Sequence, residues 1–463
     1  MKLFRMWSDD KPHEECGVFG IYAAGGRDVA GDIYYGLTAL QHRGQESAGM
    51  SVSDTLGPMG NITTKKGMGL VSEVFSRRDL KDIKGNIGVG HVRYSTTGGS
   101  SIENAQPIAM NYIKGSLALV HNGNIVNAAE LKQEQMYRGQ AHYTSSDSEV
   151  LAYEIISCRV RTSTIEEAVR QAAVRLKGGY ALVIMSPRKL IAVRDPLGIK
   201  PLVLGKRNDT YIFASESAAI SAVGGELIRD VEPGEIITVT GEGIESDRSL
   251  CRKARAHCVF EYIYFARNDS VIDGQGVREA RFRAGEALAS ADEVKADIVA
   301  GVPDSGLVAA EGYAKASGIP FTLAFHKNSY IGRSFIKPTD EERRMAVHMK
   351  LSVFADAVRG KKAVIIDDSI VRGNTMRQLV GMLREAGAAE VHVRISSPPF
   401  LYPCYYGTDV PNAGQLIASE HSTDEVCRTI GADSLRYLRI EDLKHMAGGL
   451  PVCSACFDGI YPV

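Results

Sequence analysis

The chain has 463 residues, of which 44% are hydrophobic and 24% charged; the length predicts two compact units, and the composition excludes a disordered or fibrous protein. Lysine and arginine number 54 against 55 acids, a formal net charge of -1, so no global field holds nucleic acid or acidic lipid and any anion site must be local. No run approaches the roughly 18 apolar residues that cross a bilayer, and residues 1–15 carry mixed charge without an apolar signal core, so a cytoplasmic protein with no nucleic-acid or membrane partner is expected.

The first element is a strand over residues 18–22, directly behind Cys16. The eight cysteines of such a chain are packing residues, nucleophiles or metal ligands rather than a disulfide framework. Cys16 as an internal residue is a structural thiol. Released by removal of residues 1–15, it would carry its own base, an α-amine with a pKa of about 8. Next comes Gly90-His91-Val92-Arg93, where Arg93 offers a guanidinium that forks onto an amino-acid carboxylate. A strand over residues 117–120 runs into His121-Asn122-Gly123-Asn124, an oxyanion hole in outline if the Asn122 amide and the Gly123 N–H point the same way. A helix is predicted from Asn127, with Glu130 closing a capping box, and another over residues 148–156. Asp147 stands at the start of the latter, placed to receive an ammonium. Strands follow at residues 181–185, 190–193, 211–214 and 235–239, which reads as stacked antiparallel sheets layered with helices.

In this order, and with Gln41-His42-Arg43-Gly44-Gln45-Glu46-Ser47-Ala48-Gly49 added, these segments resemble the amino-terminal nucleophile (Ntn) type of glutamine amidotransferase domain. The resemblance implies a four-layer αββα glutaminase. Cys16 would attack the side-chain amide of glutamine, Asn122 and Gly123 would stabilise the oxyanion, and Arg93 and Asp147 would hold the substrate's two charged ends.

The polar, glycine-bearing stretch 240–248 predicts the boundary, giving a propeptide 1–15, a glutaminase domain 16–242 and a second domain 243–463. Beyond it, strands at residues 298–302, 363–366 and 391–395 alternate with helices, the pattern of a parallel α/β sheet. The second strand ends in Asp367-Asp368-Ser369-Ile370-Val371-Arg372-Gly373-Asn374-Thr375, followed by a helix with Met376, Leu379, Val380 and Leu383 on one face and Gly387 as its stop. A strand, two acids, a small-residue loop and a helix start suit a ribose phosphate: the acids meet hydroxyls or a divalent cation, and the loop takes the phosphate. The simpler alternative is a solvated acidic strand end. No G-x-x-x-x-G-K-[ST] or G-x-G-x-x-G loop is present.

This motif resembles the phosphoribosyl pyrophosphate loop of type I phosphoribosyltransferases, with Asn374 where threonine is usual. Val302-Pro303-Asp304-Ser305-Gly306 is similar to the pyrophosphate loop of that family, which makes Ser305, Asp367 and Asp368 candidate ligands of one Mg²⁺ per subunit. The charged stretch 327–350 reads as a mobile lid. Cys453-Ser454-Ala455-Cys456 alone is compatible with zinc, a redox dithiol, an iron-sulfur site or chance.

Over nearly its full length the chain resembles the glutamine phosphoribosylpyrophosphate amidotransferase family, of the iron-sulfur type. The resemblance implies that glutamine, phosphoribosyl pyrophosphate and water yield 5-phosphoribosylamine, glutamate and pyrophosphate at the first committed step of purine synthesis. It further implies one [4Fe-4S] cluster per subunit on Cys258, Cys404, Cys453 and Cys456, inhibition by purine nucleotides, and a homotetramer. Cys158, Cys251 and Cys427 lack a matching context and are expected as packing residues or free thiols. A non-enzymatic phosphoribosyl pyrophosphate sensor is the rival reading; it would not need Cys16, Arg93, Asn122 and Asp147, and would carry a basic DNA-binding unit.

Overall fold

A computed structural model describes residues 16–56, 60–94, 100–328, 351–408, 410 and 413–463. The expected propeptide 1–15, and all of the expected lid beyond Lys327 and Asn328, lie outside the described residues.

The first unit contains β1 Gly17–Ala23, β2 Ser47–Ser53, β3 Ile62–Met68, β4 Ile87–Arg93, β5 Ile108–Tyr112, β6 Gly115–Ile125, β7 Gly178–Ser186, β8 Lys189–Arg194, β9 Val203–Arg207, β10 Thr210–Ala214, β11 Glu226–Asp230, β12 Ile236–Thr240 and β13 Gly243–Asp247. They form two antiparallel sheets, ordered β11-β9-β10-β1-β4-β2-β3 and β13-β12-β8-β7-β6-β5. The period-2 alternation of each strand sorts its side chains between two cores. Along β1, Val18 and Tyr22 meet Ala181 and Val183 of β7 between the sheets, while Phe19, Ile21 and Ala23 pack with Ile33 and Leu37 of the helix Ala30–Ala39. Leu182 and Ile184 of β7 turn outward to the helices Asp147–Arg161 and Ile165–Arg175. The layers are therefore helix, sheet, sheet, helix, as expected.

Two local expectations need correction. The helix Ala128–Tyr137 does start after Asn127, but without a side-chain cap. Instead the Asn127 amide bridges the turn before β7, accepting from Lys177 N at 3.0 Å and donating to Arg175 O at 3.0 Å. The expected boundary stretch 240–248 is the turn and edge strand of the β12–β13 hairpin, paired from Ile236–Asp247 to Thr240–Gly243. An edge strand facing water on one side is polar enough to pass for a loop, and the first unit's sheet runs on to Asp247.

The second unit adds β14 His257–Cys258, β15 Val271–Ile272, β16 Gln275–Gly276, β17 Ile298–Gly301, β18 Phe325–Lys327, β19 Leu351–Val353, β20 Lys362–Asp367, β21 Glu390–Ile395, β22 Ser434–Tyr437 and β23 Val452–Cys453. Its main sheet is parallel, ordered β17-β20-β21-β22. Val299, Val364 and Ile366 pack toward the helices Val277–Ser290 and Ser305–Ser317. Ala300, Ala363 and Ile365 pack toward the helices Asn374–Glu385 and Thr423–Ile430. Burial on both faces explains the unbroken apolar runs of the sequence. The helix Asn374–Glu385 buries Met376, Leu379, Val380 and Leu383, and Gly387 follows at φ +94°.

Candidate functional site

Cys16 precedes β1 at the centre of its sheet, partly buried, with Sγ 3.6 Å from the Tyr94 carbonyl. The β1–β4 register sets Gly17 opposite Val92, so Cys16 lies beside the end of β4, where Arg93 stands. Arg93 is buried and its Nη1 donates to Glu46 Oε1 at 3.1 Å. Asn122 and Gly123 are near the end of β6, in the facing sheet.

His121 joins these segments. Its carbonyl lies 3.0 Å from His91 Nε2 of β4, its N–H donates to Gln106 Oε1 at 2.7 Å, and its Nδ1 stands 3.2 Å from Ser148 Oγ and 3.7 Å from Asp147 Oδ1. Asp147 is the first residue of its helix, where the dipole favours a carboxylate. Burial alone would lift its pKa, but His121 and the Ile125 and Ser148 N–H groups outweigh burial and hold it below the usual range. An ionised carboxylate at neutral pH follows. Burial pushes the His91 imidazole down to about 3, so it is uncharged there. Asn122 is buried with neither side-chain Oδ1 nor Nδ2 hydrogen-bonded. Buried polar groups are rarely left so.

Behind Cys16 runs a buried ion network that the sequence did not reveal. Arg43 Nε donates to the Cys16 carbonyl at 3.1 Å, and its guanidinium donates to Glu216 Oε1 at 2.7 Å and to Glu261 at 2.6 and 2.9 Å. Glu216 also receives the Arg267 N–H at 3.0 Å and the Ser270 hydroxyl at 2.7 Å. Glu261 opens the helical turn Glu261–Phe265, and Arg281 ties down that turn by donating to the carbonyls of Tyr262, Ile263, Tyr264 and Ala266. Burial lowers the Arg281 pKa to about 10, against the pull of Asp368 and Glu216; it remains a cation that feels both sites. Arg43 was legible only as part of the quoted Gln41–Gly49 stretch, without a role.

In the second unit the loops after β17 and β20 are neighbours at the carboxyl ends of parallel strands, where ligands of such sheets bind. Asp367 and Asp368 are 1% and 0% exposed, so the solvated-strand-end alternative is wrong. The Ser305 hydroxyl donates to Asp368 Oδ2, and the Ser369 hydroxyl to Asp368 Oδ1 at 2.6 Å. Ile370 and Val371 turn into the core, and Gly373 at φ +84° leads into the helix at Asn374. Thr375 lies in that helix's first turn, and Arg372 reaches Gln415 at 2.9 Å. Asp304 pairs with Lys327.

Cys258, Cys404, Cys453 and Cys456 line one cavity with Phe260, Phe400 and the buried Lys200. Parallel pairing of β14 with β23 sets Cys258 beside Cys453, and Cys456 follows in the short helix Ala455–Asp458. Burial and the neighbouring thiols push Cys456 well up, and burial lifts Cys453 to about 12. Among the described residues no group of three or more His, Cys, Asp or Glu is already arranged to hold a metal ion. Cys158 is buried in the first unit's helix-side core, and Cys427 packs against the second unit's.

Residues 91–222 match the glutamine amidotransferase domain family and residues 273–396 the phosphoribosyl transferase domain family. The amidophosphoribosyltransferase of Bacillus subtilis (strain 168) is 47% identical over 97% of this chain and 94% of its own length. That of Methanothermobacter thermautotrophicus is 45% identical over 99% and 96%. Among solved structures, the glutamine phosphoribosylpyrophosphate amidotransferase of B. subtilis complexed with ADP and GMP superposes with a TM-score of 0.89 at 46% identity, covering 96% of this chain and 97% of that one.

Proposed function

The chain belongs to the amidophosphoribosyltransferase family and turns glutamine, phosphoribosyl pyrophosphate and water into 5-phosphoribosylamine, glutamate and pyrophosphate, the entry to purine synthesis; on that premise we propose how its residues divide the work. Residues 1–15 are removed, and the freed α-amine of Cys16 takes the thiol proton as Sγ attacks the glutamine amide carbon. Arg93 and Asp147 hold the α-carboxylate and α-ammonium. The Asn122 amide and Gly123 N–H receive the oxyanion, the amine returns its proton to the leaving ammonia, and water cleaves the thioester to glutamate. The observation that carries this reading is the buried Asn122 amide, with no hydrogen-bond partner beside an ionised Asp147.

Ammonia then displaces pyrophosphate from the anomeric carbon. Asp367 and Asp368 orient the ribose, and the backbone of residues 369–373 with Asn374 and Thr375 at the helix start takes the 5-phosphate. Ser305, Asp367 and Asp368 would hold Mg²⁺, the hydroxyl and carboxylate oxygens being the hard donors that ion prefers; when bound it neutralises the departing pyrophosphate. Cys258, Cys404, Cys453 and Cys456 would hold a [4Fe-4S] cluster, which supplies a structural clasp rather than chemistry. Four thiols on one cavity and the buried Lys200 ammonium, which offsets thiolate charge, support that assignment. Purine nucleotides as inhibitors fit the ADP and GMP held by the B. subtilis relative. A cytoplasmic homotetramer completes the proposal.

The deciding experiment measures glutamate release with and without phosphoribosyl pyrophosphate and Mg²⁺, together with the mass of the active chain. Release stimulated by both, from protein beginning at Cys16, is expected. Full activity in chains that keep residues 1–15 refutes the terminal-amine mechanism.

A further inference from the structure

The amide-hydrolysing end is closed by a piece of the other unit. Asn124, one residue past the proposed oxyanion donor Gly123, donates from Nδ2 to the Tyr405 carbonyl at 2.9 Å. Two residues on, Gly407 is buried at φ +110°, and a Cβ built there would stand 2.8 Å from the Gly123 carbonyl carbon and 2.9 Å from its Cα. On its other side Gly123, at φ +134°, abuts the Gly179 carbonyl, which a Cβ would approach to 2.0 Å. The Gly123 Cα and carbonyl are thus gripped between β7 of its own sheet and a backbone segment from beyond residue 400. That segment is itself braced: the Tyr406 hydroxyl accepts from Val463 N at 3.0 Å, and the Tyr461 hydroxyl donates to Pro403 O at 2.7 Å.

We propose that Gly407 is a positioning residue for glutamine hydrolysis, its bare backbone fixing the Cα and carbonyl of Gly123, and through that Cα the direction of the Gly123 N–H, while the Asn124–Tyr405 hydrogen bond holds the next residue in place. The inference rests on the oxyanion role of Asn122 and Gly123. Only glycine satisfies the position, because any Cβ must push Gly123 aside at a backbone conformation that side chains already disfavour. Displacing one reacting-site donor by about 1 Å costs on the order of 100-fold in rate, and losing it costs about 100- to 1000-fold. Glutamine's charged ends are held elsewhere, so the effect falls on kcat and spares KM.

The test compares glutamine-dependent and ammonium-dependent synthesis of phosphoribosylamine in Gly407→Ala, Asn124→Ala and Asn122→Ala. Gly407→Ala is expected to lower glutaminase kcat by about tenfold or more, with KM for glutamine and the ammonium-dependent rate held to within about twofold, as follows from a misplaced oxyanion donor. Asn124→Ala, which loosens the same contact from the opposite side without crowding it, is expected to lower the same kcat severalfold. If Gly407→Ala loses both activities together, Asn124→Ala decides: an unchanged glutaminase kcat there overturns the proposal. Unchanged kcat in both variants also overturns it, and if Asn122→Ala hydrolyses glutamine at full rate, the oxyanion reading underneath has failed instead.

Discussion

Glu216 is fully buried between His42 and Arg43. Burial alone would raise its carboxyl, yet the His42 ring and the Arg43 guanidinium hold it well below the ordinary value of 4.5. A group whose pKa is depressed on folding contributes stability in full above its unfolded value and loses it as pH falls through the folded one. The enzyme is therefore expected to lose stability as pH falls below about 4.5, with Glu216 contributing to the acid limb. Denaturant titrations from pH 6 to 3 check this: Glu216→Gln should be less stable than the parent at pH 6, and the gap should narrow toward pH 3. A gap that does not change with pH would remove Glu216 from the acid response.

Among the elements, the loop that turns β20 into the helix Asn374–Glu385 depends on Gly373, whose φ of +84° costs a residue with a Cβ about 1 kcal/mol or more. Gly373→Ala should raise the KM for phosphoribosyl pyrophosphate severalfold, read from initial rates, and leave glutaminase activity without that substrate unchanged. The clasp made by β14 and β23 gives a second prediction. Cys456→Ser removes one of four thiols from a buried cavity, and the purified protein should carry much less iron and lack the visible absorption of the parent. Iron at the parental level would exclude Cys456 as a ligand. How much of this was legible follows from burial. β1, β7 and β8 are covered on both faces and announce themselves as apolar runs. The strands β2 and β4 are equally buried but rich in glycine and serine and pass unnoticed, and β22, with only four residues and an arginine, carries no pattern at all. The site segments stood out because each is contiguous: Asp367 to Thr375 is one strand end, loop and helix start, and His121 to Gly123 one strand end. The Arg43–Glu261 pair spans 218 residues, and the Gly123–Gly407 contact even more. Neither leaves a mark in local sequence, because a salt bridge or a backbone contact imposes no spacing on the chain between its halves.

At the scale of the whole molecule, Arg43 ties the Cys16 backbone to the turn that Arg281 anchors in the second unit. Replacing it by methionine leaves Glu216 and Glu261 as buried carboxylates short of their cation, a loss of about 3–5 kcal/mol. Thermal unfolding of Arg43→Met should begin markedly lower than the parent's, and both the glutamine and ammonium activities should decay together on warming. Arg43→Lys should rescue little, since one ammonium cannot reach a backbone carbonyl and two carboxylates with the geometry of a fork. The β14–β23 pairing bears on biosynthesis as well. Cys258 meets Cys453 in register, so at about 5–20 residues per second the ribosome needs about 10 to 40 s after making the first before it delivers the second. For that interval the thiol and the aromatic wall beside it face solvent without their cover, open to stray oxidants and soft metals. Growth under high oxygen or zinc would then lower the yield of newly made enzyme before it harmed the finished molecules.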